Sequence, residues 1–113
     1  MIIYIAGKYT GKTDEEISAN IQKAREAAIK IWEAGHVAFC PHLNTAHFER
    51  DCICKYEDYI KGDLQLLEKC DAVYVLRGGQ HESKGTRKEI FHAMRKNISI
   101  YYEENEQNLS FLK

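Results

Sequence analysis

Short apolar segments alternate with segments of helical periodicity along this chain of 113 residues. Apolar runs rich in β-branched and aromatic residues predict four strands, at 1–6, 36–39, 72–76 and 98–102. Apolar residues at helical spacing predict three helices, at 14–34, 55–69 and about 84–96. Strands that are apolar throughout and alternate with helices are typical of a parallel sheet that is covered on both faces.

Right-handed crossovers between such strands give the sheet order 2-1-3-4. The predicted fold is therefore an α/β, three-layer, Rossmann-like or flavodoxin-like parallel sheet of about four strands. Sheets of this kind bind ligands at the carboxyl ends of their strands, where the strand order reverses. Two loops are expected to border that crevice, residues 7–13 after the first strand and 77–85 after the third.

Local signals support several element boundaries. Thr13 and Glu16 have the spacing of a capping box, which starts a helix, and Gly35 is suited to end that helix. Asn97 is a plausible cap for the third helix. Residues 41–54 carry no clear period and are expected to form a loop, and the polar tail 103–113 receives no assignment.

The length of the chain suits one domain, spanning residues 1–113. The formal net charge of −1 gives no electrostatic reason to expect binding to nucleic acid or to an anionic membrane. No apolar run approaches the roughly 18–20 residues that span a bilayer. The apolar start is also too short for the core of a signal peptide. We expect a cytoplasmic protein whose four cysteines are reduced.

The loop after the first strand resembles a phosphate-binding loop, because it ends in Gly11-Lys12-Thr13 before a helix. The strict pattern requires glycine where Ala6 stands. The helix then opens with three acidic residues (14–16), which would place carboxylates beside a triphosphate. No predicted strand ends in the aspartate that a magnesium site needs. A P-loop-type nucleoside triphosphatase is therefore the less favoured alternative.

Residues 40–54 contain three cysteines and two histidines, which are ligand-type side chains. The spacings do not match the paired cysteines of common zinc sites, so we predict no metal and no cofactor. The alternatives are a loop that packs on the domain and a loop that touches substrate, for which His42 is the candidate residue.

Asp63 falls on the inward side of the second predicted helix, with Tyr59, Ile60 and Leu67. A buried carboxylate is costly unless it is hydrogen-bonded or functional. The alternative is a carboxylate at the rim of the helix that pairs with a lysine.

The segment 83–89 follows the third strand at a helix N-terminus, in the predicted ligand crevice. Backbone N–H groups there, together with Ser83, Thr86 and Arg87, are suited to hold a phosphate. Glu89 lies in the first turns of this helix, where the helix dipole favours its ionised form, and an ionised carboxylate suits a nucleophile at a sugar carbon. The alternative is that Thr86 and Glu89 form another capping box.

Taken together, these residues resemble the nucleoside 2-deoxyribosyltransferase superfamily, including its nucleotide N-glycosidase branch. The resemblance covers most of the chain in order. It rests on four segments, which are Tyr4-Ile5-Ala6-Gly7, Gly62-Asp63-Leu64, Cys70-Asp71-Ala72-Val73 and Ser83-x-Gly85-x-x-x-Glu89, with Ala93 on the same helix. It implies that Glu89 is the nucleophile, that Asp63 assists the leaving base and that Tyr4 orients the catalytic carboxylate.

The residue at position 83 bears on the substrate. Free-nucleoside transferases of this superfamily tend to carry an acidic residue there, whereas the branch that acts on 5′-monophosphates has serine. Ser83 therefore favours nucleotides, with Lys84 and Arg87 nearby. The expected substrate-binding residues are Gly7, Lys8, His42, Ser83, Gly85, Thr86 and Arg87.

The sequence also departs from the pattern of the superfamily. Lys8 stands where short relatives often have proline, and little of the chain remains after the fourth strand. In longer members a neighbouring subunit completes the pocket, so we expect a homodimer or a higher homo-oligomer. The alternative to an N-glycosidase or transferase is a nucleotide-binding module of the same fold without catalysis.

Overall fold

The computed structural model describes residues 1–112. Four strands and five helices follow one another along the chain. The strands are β1 (Ile2–Ala6), β2 (Val37–Phe39), β3 (Ala72–Val75) and β4 (Ser99–Tyr102). The helices are α1 (Asp14–Glu33), α2 (Pro41–Asn44), α3 (Tyr56–Leu67), α4 (Gly79–Glu82) and α5 (Lys84–Arg95). Two short 3₁₀ helices cover Phe48–Arg50 and Gln107–Leu112.

The strands form one parallel sheet in the order β2-β1-β3-β4. Tyr4 of β1 lies beside Phe39 of β2 on one side and Val73 of β3 on the other. The sequence prediction of an α/β sheet with order 2-1-3-4 is confirmed. The order reverses between β1 and β3, so their carboxyl ends flank the crevice in which such folds bind ligands.

Alternation along the strands divides the core into two layers. Ile3 and Ile5 of β1 pack on the face covered by α1. Tyr4 and Ala6 point to the opposite face, where Ala93 of α5 packs beside them. Because successive side chains of a strand face opposite ways, Tyr4 is the β1 tyrosine that reaches the α3 and α5 layer.

Local chemistry explains where α1 begins. The hydroxyl of Thr13 accepts a hydrogen bond from the backbone N–H of Glu16 at 3.2 Å. The Glu16 carboxylate accepts from the N–H of Lys12 at 2.5 Å, one residue before the position that a capping box uses. Of the two hydrogen bonds of the predicted capping box, the one from Glu16 N–H to the Thr13 hydroxyl is therefore present. The Glu16 carboxylate accepts from the N–H of Lys12 instead of that of Thr13. Gly35, at φ 87°, follows the end of the helix as expected.

Three stretches differ from the sequence prediction. The expected loop 41–54 contains α2 and the first 3₁₀ helix, and α4 lies within the expected turn after β3. Pro41 stands at the first turn of α2, where proline is tolerated because its missing N–H has no partner there. The tail contributes the buried Leu109 and Leu112 to the core layer beneath α1.

Within residues 1–112, no helix combines the length and the apolar character that crossing a bilayer requires.

Candidate active site

A cavity of about 600 Å³ opens at the carboxyl ends of β1 and β3. Its walls come from the loop after β1, from α2, from α3 and from the start of α5. Both candidate carboxyl groups, Asp63 and Glu89, line it. The crevice predicted from the strand order therefore exists, and it brings together two acidic residues that lie 26 positions apart in the sequence.

Glu89 is a buried carboxyl group at the floor of this cavity, with 6 % of its surface exposed. The hydroxyl of Tyr4 donates a short hydrogen bond to Glu89 Oε2. Ser83 is the N-cap of α5, its hydroxyl accepting from Thr86 N at 3.1 Å. The alternative of a capping box between Thr86 and Glu89 is therefore wrong, and Glu89 is free to face the cavity.

The sequence predicted an ionised Glu89, and the burial of this carboxyl group overturns that expectation. The helix dipole alone favours the ionised form, but desolvation raises the pKa of Glu89 to about 8. The hydrogen bond from Tyr4 opposes that rise, and the nearby Asp63 adds to it. Burial also raises the pKa of Tyr4 well above its usual value, with the Glu89 carboxylate adding to the effect, so its hydroxyl stays a donor.

Asp63 lies on α3 and is half-buried. Desolvation raises the pKa of Asp63 to about 6. Among the described residues it takes part in no ion pair, so the alternative of a rim carboxylate neutralised by a lysine does not hold. A carboxyl group with such a pKa is suited to give and take a proton near neutral pH.

The N-terminus of α5 forms one end of the cavity. Gly85 packs tightly there, because a Cβ atom at this position would lie 3.0 Å from the Tyr56 hydroxyl and 3.2 Å from Ile60 Cδ1. Thr86 is fully buried, and its hydroxyl oxygen has no hydrogen-bond partner within residues 1–112. Lys84 and Arg87 line the same end and are exposed. The arrangement presents N–H groups and two cations.

Glu82 also lines this end of the cavity. Its carboxylate is turned towards Gly78, where Oε1 lies 3.4 Å from the position of a Cβ atom. Arg87 Nη1 donates to the backbone carbonyl of His81 at 3.1 Å, which holds the guanidinium beside the same short helix.

The loop after β1 forms the opposite wall. Gly7 packs so closely on Leu76, the residue after β3, that a Cβ atom would lie 2.6 Å from Leu76 Cδ1. His42 is buried, and its Nε2 donates to the backbone carbonyl of Lys8 at 2.9 Å. Burial lowers the pKa of His42, which favours the neutral ring. Gly7 and His42 line the cavity, whereas Lys8 meets this wall through its backbone carbonyl and does not line it.

Several lining residues were not predicted from the sequence. Tyr9 crosses the cavity wall, donating from its hydroxyl to Glu49 at 2.7 Å and accepting from the N–H of His47 at 2.8 Å. Tyr56 and Tyr59 line the cavity from α3. Tyrosines at helical spacing are ordinary core residues in a sequence. The available signal was that Tyr59 precedes Asp63 by four positions, which places both on one helix face.

The phosphate-loop alternative meets a structural obstacle. Gly11 approaches Glu16 so closely that a Cβ atom would lie 2.6 Å from Glu16 Cβ. The Glu16 carboxylate occupies the N–H of Lys12, one of the backbone donors of the loop. A triphosphate at this position would have to displace a carboxylate of the same charge.

Metal-type side chains do not converge in the described part of the chain. Across residues 1–112, no three histidine, cysteine, aspartate or glutamate side chains form a group that could hold a metal ion. The thiols of Cys52 and Cys54 are free and lie in the loop before α3, and Cys54 reaches the rim of the cavity.

A second cavity, of about 830 Å³, lies beside α1 and the carboxyl end of β3. Its lining includes lysines of α1 and glutamates that follow β4. Neither Asp63 nor Glu89 reaches it. The smaller cavity is the candidate active site because it holds the buried carboxyl groups with raised pKa values.

Comparison with known proteins identifies a family and a fold. A family model described as a domain of unknown function, DUF7768, matches residues 1–103. No curated protein sequence matches the chain. A solved structure of a 2-deoxyribosyltransferase from the psychrotolerant bacterium Bacillus psychrosaccharolyticus superposes with a TM-score of 0.68 at 17% identity, over 90% of this chain and 71% of that one. At this identity the likeness shows a shared fold.

Proposed function

The chain belongs to the DUF7768 family of domains of unknown function, and we propose that it cleaves or transfers the N-glycosidic bond of (deoxy)nucleoside 5′-monophosphates. One observation carries the proposal. A buried glutamate, held by a tyrosine hydroxyl, shares a cavity with a second carboxyl group whose pKa is raised. Two such carboxyl groups are the machinery of glycosidic displacement with a covalent intermediate.

In the first step the Glu89 carboxylate attacks the anomeric carbon of the sugar. The bond from that carbon to the base nitrogen breaks through an oxocarbenium-like transition state, and its electron pair leaves with the base. Asp63 gives its proton to the departing base, directly or through a water. The products of this step are the free base and a glycosyl ester on Glu89.

In the second step water or another base resolves the ester. The attacking nucleophile loses a proton to the Asp63 carboxylate and forms a bond to the anomeric carbon, and the Glu89 carboxylate leaves. Tyr4 acts in both steps as a positioning residue, because its hydroxyl fixes one oxygen of Glu89 and leaves the other to react.

The N-terminus of α5 supports a 5′-phosphate on the substrate. N–H groups at a helix start bind anions, and the dipole adds to the attraction. Ser83 keeps its own proton to donate, since its oxygen accepts from the Thr86 N–H. An acidic side chain at position 83 would repel a phosphate.

We also propose that the chain acts as one domain, residues 1–113, and as a homodimer or higher homo-oligomer. The 2-deoxyribosyltransferase resemblance supports this, since that superfamily closes its pocket across subunits. The loop before α3 supports it too, because Ile53 is 99% exposed there, one residue before the cavity-lining Cys54. Sedimentation velocity at several concentrations tests it, and one monomer boundary at every concentration would refute it.

The test of function is release of free base. The protein is incubated with a panel of nucleosides and 5′-monophosphates, and the base is detected by chromatography. Base release that disappears in Glu89→Gln supports the proposal. Nucleotide binding without base release, unchanged in Glu89→Gln, would instead support the binding module. Phosphate release from ATP that depends on Lys12 would support the triphosphatase.

A further inference from the structure

Two thiols lie side by side in the loop that leads into α3. Cys52 Sγ accepts a hydrogen bond from the backbone N–H of Cys54 at 3.2 Å. The Cys54 thiol lies within hydrogen-bonding reach of the same sulfur. The intervening Ile53 is almost fully exposed, so its side chain does not separate the two sulfur atoms. Cys52 and Cys54 therefore form one accessible dithiol pair.

Hydrogen bonds of the backbone hold the chain on both sides of this pair. The N–H of Cys52 donates to the carbonyl of Phe48 at 2.8 Å, at the end of the first 3₁₀ helix. The N–H of Lys55 donates to Asp58 Oδ2 at 2.7 Å, at the start of α3. The approach of the two thiols is thus set by the backbone of the loop rather than by a chance rotamer.

Three donors converge on the sulfur of Cys52. The third is the Tyr59 hydroxyl, which lies within hydrogen-bonding reach of this sulfur and has no other polar partner among residues 1–112. A thiol is a weak acceptor, whereas hydrogen bonds to an ionised acceptor are strong. The donors therefore favour the thiolate. Hydrogen bonds from the Cys54 thiol, the Cys54 N–H and Tyr59 lower the pKa of Cys52, against a smaller effect of desolvation and of the Asp58 carboxylate.

The other three thiols are shifted in the opposite direction. The hydrogen bond to Cys52 raises the pKa of Cys54. Burial raises the pKa of Cys40, and it raises the pKa of Cys70 to about 11. An accessible thiolate beside a second thiol is the arrangement found at redox-sensitive cysteines, whereas buried thiols with raised pKa values are inert.

We propose that Cys52 and Cys54 are a modification site, at which a peroxide oxidises the pair to a disulfide and Cys52 is the attacking thiolate. This inference is independent of the proposed function. Because Cys54 lines the cavity, the disulfide would form part of the cavity rim.

The oxidation proceeds in two steps. The Cys52 thiolate attacks one oxygen of hydrogen peroxide, the O–O bond breaks, and the hydroxide that leaves takes up a proton to become water. The sulfenic acid formed on Cys52 is then attacked by the Cys54 sulfur, the S–O bond breaks, and its hydroxyl leaves with the Cys54 proton as a second water. The two thiols lose two electrons in total, and these reduce one peroxide to two waters.

The test is treatment of the reduced protein with hydrogen peroxide at neutral pH, followed by alkylation and mass mapping. The wild type is expected to lose the mass of two hydrogen atoms, with one bond between Cys52 and Cys54, and a dithiol reductant should restore both thiols. Cys40 and Cys70 should remain alkylatable and serve as internal controls. Four free thiols after treatment, or a disulfide that includes Cys40, Cys70 or a second chain, would overturn the proposal.

Single substitutions in the pair test which thiol attacks. In Cys54→Ser the resolving thiol is absent, so a sulfenic acid on Cys52 should accumulate and be trapped by a 1,3-dione. In Cys52→Ser the remaining thiol has a raised pKa, so the same adduct should form about tenfold or more slowly. Equal rates in the two variants would overturn the assignment of Cys52 as the attacking thiolate.

Tyr59→Phe tests the stabilisation of the thiolate. Loss of this donor should raise the pH at which the rate of disulfide formation is half-maximal, because it raises the pKa of Cys52. Tyr56→Phe is the matched control on the same helix, since its hydroxyl lies next to Gly85 rather than beside the thiols. The control should keep the wild-type pH profile, and an unshifted profile in Tyr59→Phe would count against the proposal.

Discussion

Tyr4 and Glu89 are 85 positions apart in the chain and share one buried hydrogen bond. Tyr4 comes from β1 and Glu89 from α5, so the bond joins the central sheet to the helix that ends the cavity. Its environment raises the pKa of both groups, by burial first in each case. A hydrogen bond to an ionised carboxylate lowers the carboxyl pKa, and Tyr4 is therefore the group that makes the charged form of Glu89 accessible near neutral pH.

Tyr4→Phe is expected to raise the pKa of Glu89 further, since it removes the hydrogen bond that favours the charged form. The alkaline limb of the profile of kcat/KM against pH, which follows the more basic carboxyl group of the pair, should move to higher pH. The rate at pH 7 should fall about tenfold or more, as a charge-assisted hydrogen bond is worth about 1.5–3 kcal/mol. Tyr102→Phe is the control, because Tyr102 packs on the same core layer but does not line the cavity. Equal profiles in the two variants would argue against the role of Tyr4.

Replacement of the two carboxyl groups should separate their roles. Glu89→Gln removes the nucleophile and is expected to abolish base release. Asp63→Asn removes proton transfer, which contributes typically about 10²–10⁴-fold, so a residual rate should remain. Glu57→Gln, an exposed carboxyl group on the same helix as Asp63, should have the wild-type rate. Initial rates of base release measure all three, and a Glu89→Gln rate above that of Asp63→Asn contradicts the assignment.

The dependence of kcat/KM on pH should be bell-shaped, because the reactive form carries one proton shared between two carboxyl groups. The limbs are expected near pH 6 and near pH 8, and they belong to the pair rather than to either residue. Asp63→Asn should lose the alkaline limb, since the remaining requirement is an ionised Glu89. A variant profile that still falls at high pH would show that another group is the acid.

Stability should fall as the pH rises. The pKa of Glu89 is about 8 in the folded protein against an ordinary 4.5, so between these values the folded state binds more protons than the unfolded state. The free energy of unfolding then decreases with pH. The stabilisation that Glu89 contributes is fully present below its pKa in the unfolded chain and is lost as the pH rises through its pKa of about 8 in the folded protein. Asp63, with a folded pKa of about 6, adds to the loss over the lower part of this range.

Thermal melting of the wild type and of Glu89→Gln from about pH 5 to about pH 9 measures this linkage. The melting temperature of the wild type should fall more steeply than that of the variant. Parallel curves would mean that Glu89 titrates alike in the folded and unfolded states.

Two glycine substitutions should have opposite effects on stability. Gly7→Ala places a Cβ atom 2.6 Å from Leu76 Cδ1, and overpacking of this kind costs typically about 1–3 kcal/mol. Gly62→Ala, inside α3, meets no atom within 4 Å. It should stabilise the protein by about 0.5–1 kcal/mol, because alanine is the better helix former. Chemical denaturation gives both values, and a destabilising Gly62→Ala would contradict the account.

The fold was predictable because its signals are local. The continuous apolar runs of β1 and β3 and the caps at Thr13 and Gly35 depend on neighbours in the sequence. The short helix α4 escaped prediction because a Gly-Gly pair is also typical of an ordinary turn. Gly78 precedes the helix in the left-handed region, at φ 81°, a conformation that such turns use as well. The buried tail residue Leu109 escaped because its burial depends on packing beneath α1, far away in the sequence.

The candidate site was predictable in its residues more than in its electrostatics. Glu89 and Asp63 stood out by motif and by helix face, and both line one cavity. The pKa of Glu89 did not follow from its place near a helix start, because desolvation by distant residues outweighs the dipole. Lys8 does not line the cavity, and its backbone carbonyl accepts a hydrogen bond from His42, a contact between distant residues that the sequence does not show.

The carboxylate of Glu16 affects the orientation in which a nucleotide can enter the cavity. It occupies a backbone donor of the loop after β1, and Glu49 stands on the same wall, so this lip of the cavity is negative. The α5 lip offers N–H groups and two cations, and its one carboxylate, that of Glu82, is turned towards Gly78. A phosphate is therefore drawn to one lip and turned away from the other. The cavity has a polarity that presents a nucleotide in one orientation, before any contact with its base.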